Sequence, residues 1–203
     1  MRFPRYLAPV ALVAFALLVG GRESGRAETE AKPISGQFLV AKAGMADPRF
    51  AHSVIYMIEH SETGAMGLIV NRVIGKGRLD VFMRAMDIDP GEVNGEIRLY
   101  YGGPVELDLG FVLHEGDLPG ETTKDVGHGL RLSGHRRVLE AIAAGTGPGR
   151  AIFALGYAGW SAGQLEREML SGSWTTVPYD ADLLFGDDET KWEKATGKAG
   201  VAL

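Results

Sequence analysis

The sequence predicts an α+β fold in which helices cover a mixed β-sheet. Short β-branched apolar runs follow one another in antiparallel-looking succession, and amphipathic helical segments lie between them. Glycine- and proline-rich turns separate these elements. With 203 residues, 45% hydrophobic and 23% charged, the chain suits one globular domain with a sizeable core. Its 29 glycines follow no Gly-X-Y period, which excludes a collagen-like protein.

The first part of the chain predicts a short strand followed by a hairpin. Residues 37–41 form the first predicted strand, and a turn follows at residues 44–48 because proline disfavours helix at the residue before it. Residues 53–59 are apolar and β-branched, as expected of a buried strand. Residues 65–70 return antiparallel to them after a loop of four or five residues.

The remaining elements alternate between strands and helices. Leu79, Phe82, Met83 and Met86 have the i, i+3, i+4, i+7 spacing of an amphipathic helix. Ser133 is the predicted N-cap of a second helix that continues through Ile142. Further strands are predicted at residues 97–101, 110–114, 127–132, 151–157 and 174–177, and further helices at 162–170, 180–185 and 188–195.

Residues 1–27 have the pattern of a secretory signal. Arg2 and Arg5 precede an uncharged, mostly apolar run at residues 7–21, and Gly25-Arg26-Ala27 offers small residues at positions −3 and −1 of a cleavage site. This run is shorter than the roughly 20 residues of a transmembrane helix. An uncleaved anchor and an upstream start-site artefact are the alternatives. The predicted organisation is a signal peptide at 1–27, a polar lead-in at 28–35, one domain at 36–197 and a tail at 198–203.

Composition excludes several classes of site and partner. The absence of cysteine excludes disulfides, thiolate metal sites and a cysteine nucleophile. Residues 1–27 hold four arginines and one glutamate, so the rest of the chain carries 17 basic and 25 acidic residues, a net charge of −8. Such an acidic domain is poorly suited to nucleic acids or anionic lipids. Membrane contact is expected only through the N-terminal segment before cleavage, and the oligomeric state is not predicted.

No metal or cofactor site is predicted. The sequence has no H-E-x-x-H motif, Walker loop or dinucleotide fingerprint. Glu59 and His60 point to opposite faces of their strand and cannot share an ion. The histidines are therefore interpreted as hydrogen-bonded structural residues. Asp47 and Arg49 predict a turn held by the aspartate side chain and a salt bridge.

Gly159-Trp160-Ser161-Ala162-Gly163 matches the G-x-S-x-G nucleophile elbow, between a predicted strand and helix. All five histidines precede Ser161, so the Ser-acid-His chain order of α/β hydrolases cannot be met. A triad in another order remains open. Ser161 and Gln164 also form an S-x-x-Q capping box, which is the favoured interpretation. The same helix start, with glycines nearby, is compatible with binding an anion.

Several longer motifs stand in a fixed order between residues 36 and 192. They are Gly36-Gln37-Phe38-Leu39-Val40-Ala41, Met45-x-Asp47-Pro48-Arg49-Phe50, the stretch from His60 to Asn71, Tyr101-Gly102-Gly103-Pro104-Val105, and the stretch from Gly156 to Glu166, with Trp174 after them. Together these blocks resemble the YqgE/AlgH family of bacterial proteins.

The resemblance implies an α-plus-β domain with a mixed, partly barrel-like sheet surrounded by helices. It implies no established catalytic activity. The family's best-known label is that of a regulator of alginate biosynthesis in some bacteria, yet no helix-turn-helix with a basic recognition helix is predicted here. Family members begin near the Gly36 block without an export signal, so the resemblance favours the cytoplasm, whereas the signal favours the periplasm.

These observations predict a non-enzymatic binding or regulatory domain whose ligand they do not identify. A serine hydrolase using Ser161 is the first alternative, and a transcriptional regulator is the second. We expect a ligand site where the loop at 47–50, the turn at 102–105 and the helix start near Trp160 converge. The residues predicted for it are Asp47, Arg49, Gly102, Gly103, Trp160, Ser161 and Gln164.

Overall fold

A ten-stranded sheet forms the centre of the computed structural model, which describes residues 33–118 and 123–200. The predicted signal at residues 1–27 lies outside these residues. The strands are β1 (Phe38–Ala41), β2 (Val54–Ser61), β3 (Gly64–Ile69), β4 (Val73–Arg78), β5 (Glu96–Tyr101), β6 (Val105–Glu115), β7 (Lys124–Asp125), β8 (Leu130–Gly134), β9 (Ala151–Ser161) and β10 (Trp174–Val177). The helices are α1 (Leu79–Ala85), α2 (His135–Ala143), α3 (Gln164–Leu170), α4 (Ala181–Phe185) and α5 (Lys191–Lys198).

The sheet is mixed and curls into a half-barrel, as predicted. Its main path runs β10-β1-β2-β3-β9-β6-β8-β7, with β5 on β9 and β4 on β5. The pairing of β5 with β9 is parallel, and the other pairings are antiparallel. Because β9 pairs with β3, β5 and β6, it connects the two halves of the sheet.

Both faces of the central strands are buried. Phe38 and Tyr56 pack in one core cluster, whereas their chain neighbours Leu39 and Ile55 pack in a second cluster that includes Trp160. This division follows from the alternation of side chains along a strand. A third cluster lies under α1 and α2. Among the residues described, no helix is long and apolar enough to cross a membrane.

Most predicted elements are present, but several predictions were wrong in detail. Ser61 pairs with Gly64, so the hairpin loop has two residues rather than four or five. The strands β4 and β7 were missed. The last four residues of β4 alternate glycine with charged residues instead of apolar ones, and β7 has only two residues. Ser133 does not cap α2. It lies within β8, and Gly134 holds the N-cap position without a side-chain cap.

The tail predicted at residues 198–203 begins inside a helix. Lys198 is the last residue of α5, and its ammonium lies 2.7 Å from Oδ2 of Asp180. Asp180 in turn caps α4 by accepting hydrogen bonds from the N–H groups of Asp182 and Leu183. The two C-terminal helices are therefore tied to each other.

Candidate functional site

Ser161 is the last residue of β9, not part of a sharp strand-to-helix turn. Its hydroxyl donates to Oε1 of Gln164 at 3.2 Å, and its N–H donates to the same oxygen at 3.1 Å. Half of the predicted capping box is thus present, because the glutamine side chain returns to the serine N–H. The other half was wrong: Gly163, with φ of 67°, holds the N-cap position of α3, so the serine hydroxyl has no backbone N–H to cap.

Each histidine has a contact other than Ser161. His60 lies 2.8 Å from Glu166 and accepts the N–H of Ile34, and His114 lies 2.9 Å from the hydroxyl of Ser133. His135 contacts the carbonyl of Gly110, and the rings of His52 and His128 pack on Trp192 and Tyr179, respectively. Across the described part of the chain, Ser161 therefore has no imidazole as a hydrogen-bond partner, as a nucleophile would require.

A carboxylate on α3 fixes the tryptophan of the motif. Oε2 of Glu168 accepts hydrogen bonds from Nε1 of Trp160 at 3.0 Å and from Nε1 of Trp174 at 2.8 Å. Its Oε1 accepts the side-chain amide of Gln164 at 2.9 Å. Gln164 and Trp160, which were predicted for the site, are thus joined through Glu168, which was not. The i, i+4 spacing of Gln164 and Glu168 was a signal for this connection.

The loop that contains Asp47 and Arg49 contacts this region through Phe50. The Phe50 ring stacks on Trp160 with centroids 6.3 Å apart. Asp47 accepts two hydrogen bonds from the Arg49 guanidinium at one oxygen and one at the other, and one from the Arg49 N–H. The Arg49 guanidinium holds the pKa of Asp47 below its ordinary value. The predicted turn is confirmed, and the Phe50 ring that follows it packs against the indole of Trp160.

The Gly102–Gly103 turn is wedged between β3 and β9. The Gly102 N–H donates to the carbonyl of Leu155, and its own carbonyl accepts the N–H of Ile69. A Cβ at Gly103 would overlap backbone atoms of Tyr157 and Ala158. These glycines are required by close packing against β9.

Arg72, which sequence reasoning missed, links this turn to the loop at 47–51. Its guanidinium donates to the carbonyls of Arg49 at 2.6 Å and Ala51 at 3.0 Å, and lies 5.6 Å from the centroid of the Tyr101 ring. The carbonyl of Arg72 accepts the N–H of Tyr101. The three predicted segments therefore do meet around β9, although no sequence spacing indicated Arg72 as their connector.

An open groove of about 410 Å³ crosses the sheet at the end of this region. We call it the β9 groove; its lining residues come from β2, β3, β6, β9 and the hairpin turn, and they are Glu59, Ser61, Thr63, Gly64, Ala65, Met66, Val105, Tyr157, Gly159 and Trp160. Of the seven predicted site residues, Trp160 alone is among them. Ser161 borders the groove, because it pairs with Gly64.

The loop at 47–50 lies on the other side of the sheet from the exposed face of Gly159. Ala158 and Trp160 pack in the cluster that Phe50 covers, and strand alternation directs Gly159 and Tyr157 the opposite way. Asp47 and Arg49 therefore do not reach the groove. Which face a strand residue occupies depends on register, and the sequence motifs carry no such information.

The groove combines an apolar floor with hydroxyls and an acidic rim. Burial raises the pKa of Tyr157, and the carboxylate of Glu106 adds to the rise. Glu59 forms an ion pair with Lys124 at the rim, while Ser61 and Thr63 hydrogen-bond to each other at 2.8 Å. This arrangement can hold a ligand that offers an apolar group and hydrogen-bond donors. Among the described residues, neither Ser61 nor Thr63 has an imidazole as a hydrogen-bond partner.

A second polar cluster was also missed. The ammonium of Lys191, 1% exposed, donates to the carbonyls of Val70 and Leu184 and to Asp188. Asp188 also accepts the Tyr100 hydroxyl. Burial lowers the pKa of Lys191, against the opposing effect of Asp188, and burial raises that of Tyr100 to about 12. These contacts join α5 to α4 through Leu184, to Val70 next to β3, and through Asp188 to Tyr100 on β5.

Comparison with known proteins gives one consistent family. A family model described as AlgH-like matches residues 38–203. A UPF0301 protein from Methylococcus capsulatus is 48% identical over 170 residues, which cover 83% of this chain and 93% of the relative. The UPF0301 protein AlgH from Pseudomonas aeruginosa is 45% identical over 168 residues, with coverage of 82% and 88%.

Two solved structures resemble the fold. The solution structure of AlgH from Pseudomonas aeruginosa superposes with a TM-score of 0.69 at 41% identity, covering 89% of this chain and 94% of that one. A crystal structure of a Corynebacterium diphtheriae protein has a TM-score of 0.62 at 22% identity, covering 81% and 86%, which shows a shared fold alone. The names of these proteins state no reaction and no ligand.

Proposed function

The chain belongs to the AlgH-like family, and on that premise we propose that it is a non-enzymatic binding domain whose ligand occupies the β9 groove. One observation carries the proposal. Ser161 is the residue that would make the chain a hydrolase, but its hydroxyl donates a hydrogen bond to the side chain of Gln164. It lies beside an open groove that is lined by hydroxyl groups. A groove without an activated nucleophile supports binding without turnover.

In this proposal the seven predicted site residues have two roles. Trp160 and Ser161 border the ligand. Gln164 holds Ser161, the Asp47–Arg49 turn supports Trp160 through Phe50, and the tightly packed Gly102–Gly103 turn brings Val105 to the groove wall. Ligand contacts then come from Tyr157 and from the exposed backbone of Gly159, which a side chain would cover.

A protein-observed NMR screen of small polar and aromatic fragments tests the binding site. We expect hits that shift the backbone amides of Tyr157, Gly159 and Trp160. In the Gly159→Ala variant the new methyl would lie 3.2 Å from the Tyr157 ring, so those hits should weaken. Gly77→Ala is the matched control, because a Cβ at that strand glycine meets nothing within 4 Å. Fragments that shift amides elsewhere, or that bind Gly159→Ala as tightly as the native chain, would contradict the assignment of the ligand to the β9 groove.

Labelling with a serine-reactive fluorophosphonate tests the hydrolase alternative. We expect the same background signal for the native chain and for Ser161→Ala, since the hydroxyl has no general base to activate it. A label that disappears with Ser161→Ala would replace the binding proposal with a hydrolase.

The regulator label and the cellular location need separate tests. We infer that the domain does not act by binding nucleic acid, since phosphate contacts require basic surface. Double-stranded DNA should therefore give no binding at low salt, where such contacts are strongest.

We further infer export through residues 1–27. Fractionation with N-terminal sequencing should find a periplasmic form that starts at Glu28, and an intact cytoplasmic N-terminus would contradict export.

A further inference from the structure

An irregular segment of four residues interrupts the pairing of β6 with β9 next to the groove residue Val105. Between the pairs Val105–Tyr157 and Gly110–Leu155, β6 advances five residues while β9 advances two. Residues 106–109 therefore stand outside the regular ladder, and we call residues 105–110 the β6 bulge. Bulges bend the strand and re-aim side chains, and they are common next to functional sites.

The base of the bulge is fixed by Gly156 on β9. This glycine has φ of 68°, and a Cβ there would lie 2.8 Å from the carbonyl oxygen of Val105 and 3.1 Å from Cδ2 of Leu107. The missing side chain lets the bulge pack directly on β9. Glu106 has φ of 51°, a conformation that costs a non-glycine residue on the order of 1 kcal/mol. The bulge is thus a preformed feature held under strain.

The bulge presents alternating acidic and apolar side chains to solvent. Leu107 and Leu109 keep 51% and 48% of their surface exposed, and Glu106 and Asp108 are also exposed. In the part of the chain that the structure describes, neither carboxylate forms an ion pair. Single exposed leucines are ordinary. These two follow Val105, which lines the groove, within five residues of the chain, and they alternate with the two exposed carboxylates.

We propose that the β6 bulge and the β9 groove form a docking surface for a segment of a partner protein in which an apolar side chain is flanked by lysine or arginine. The apolar side chain enters the groove against Tyr157 and Val105, with Leu107 and Leu109 covering it. The basic side chains face Glu106 and Asp108. This inference rests on the proposed function of the groove and adds the class of partner.

Charge decides between the classes of partner. Beyond residue 27 the chain carries a net charge of −8, and the rim of this surface adds unpaired carboxylates. Such a surface attracts cationic segments and repels acidic peptides and nucleic acids. Opposite charges at the rim supply selectivity, while the buried apolar anchor supplies most of the affinity.

Selection of a random-peptide phage library on the full chain tests the proposal. We expect the selected pool to be enriched in lysine, arginine and aliphatic residues relative to the unselected pool. A synthetic peptide of the consensus sequence, followed by fluorescence polarisation, should bind about tenfold or more weakly to Leu107→Ser with Leu109→Ser. It should bind roughly 3- to 10-fold more weakly to Glu106→Gln with Asp108→Asn, with a shallower salt dependence.

Two control variants match these changes. Glu92→Gln with Glu96→Gln removes two exposed carboxylates elsewhere, and Leu170→Ser removes a leucine that is 89% exposed; neither should alter peptide binding. No enrichment, an acidic or uncharged consensus, or equal binding to the bulge variants would overturn the docking surface. If fragments bind the groove but the phage library yields no enriched peptide, this inference fails and the proposed function stands. If neither screen gives binding at the groove, both fail.

Discussion

The indole nitrogen of Trp160 donates a hydrogen bond to Oε2 of Glu168, 3.0 Å away. The same oxygen accepts the indole of Trp174 at 2.8 Å, so one carboxylate orients two aromatic rings that lie on different strands. A tryptophan N–H that is buried requires an acceptor. This arrangement fixes the inner side of β9, and with it the position of the groove on the outer side.

Glu168→Ala should destabilise the protein by about 2–3 kcal/mol. The substitution leaves both indole N–H groups without their acceptor, and hydrogen bonds to a charged group are each worth more than neutral ones. Urea denaturation followed by circular dichroism measures the change. Glu62→Ala, an exposed hairpin residue, is the control and should stay within about 0.5 kcal/mol of the native chain. Equal stability of the two variants would show that the indoles find other acceptors.

Local patterns predicted strands rich in apolar or β-branched residues, such as β1, which is apolar throughout, and β10, in which two threonines lie between Trp174 and Val177. They failed where tertiary pairing overrides local preference. Ser133 precedes a helix and looks like a cap, yet its β8 neighbours pair with β6 and its hydroxyl meets His114. The predicted strand ended at Tyr157, but β9 continues to Ser161 because Gly64–Gly67 pairs with its second half.

The seven site residues predicted from the sequence do not describe the β9 groove, since Trp160 alone of them lines it. Motifs identified the loop at 47–50, the turn at 102–105 and the start of α3, and these do meet. Their connectors, Arg72 and Glu168, act through contacts between residues distant in sequence, which no spacing encodes. The groove itself depends on which face of β9 carries Gly159, and that is decided by pairing with β3.

Lys191→Met should cost about 3 kcal/mol despite the similar side-chain volume. Removing one partner of a buried ion pair leaves the other charge less well compensated. Asp188 keeps the Arg98 guanidinium at 3.4 Å but loses the closer ammonium of Lys191. The carbonyls of Val70 and Leu184 also lose their donor. Chemical denaturation gives the difference, with the exposed Lys194→Met as control. A loss of stability as small as that of the control would mean that the free-energy cost of burying the Lys191 charge nearly equals the stabilisation from its hydrogen bonds and ion pair.

His114 should make the protein less stable in mild acid. Burial lowers its pKa from the ordinary value of 6.5, so the unfolded chain takes up a proton before the folded protein does. The free energy of unfolding then falls as pH decreases below 6.5 and levels off below the folded pKa, with a slope of at most about 1.4 kcal/mol per pH unit.

Urea denaturation between pH 7.5 and pH 5 on the native chain and on His114→Gln measures this contribution. The variant should lose less stability over that interval, even if it starts lower. His128→Asn is the control, since His128 is exposed and asparagine tolerates its φ of 57°. An identical pH dependence in native chain and His114→Gln would assign the effect to other groups.

Gly103→Ala should prevent stable folding or cost about 3 kcal/mol, the upper end for overpacking. The residue has φ of 153°, which L side chains rarely adopt, and its added methyl would overlap the backbone of Tyr157 and Ala158. Because β9 cannot move without breaking its pairs with β3 and β6, little relaxation is available. Gly77→Ala on the open edge strand β4 is the matched control and should be neutral or slightly stabilising. Thermal unfolding compares the two, and a Gly103→Ala variant as stable as Gly77→Ala would mean that the turn at 102–105 is not locked against β9.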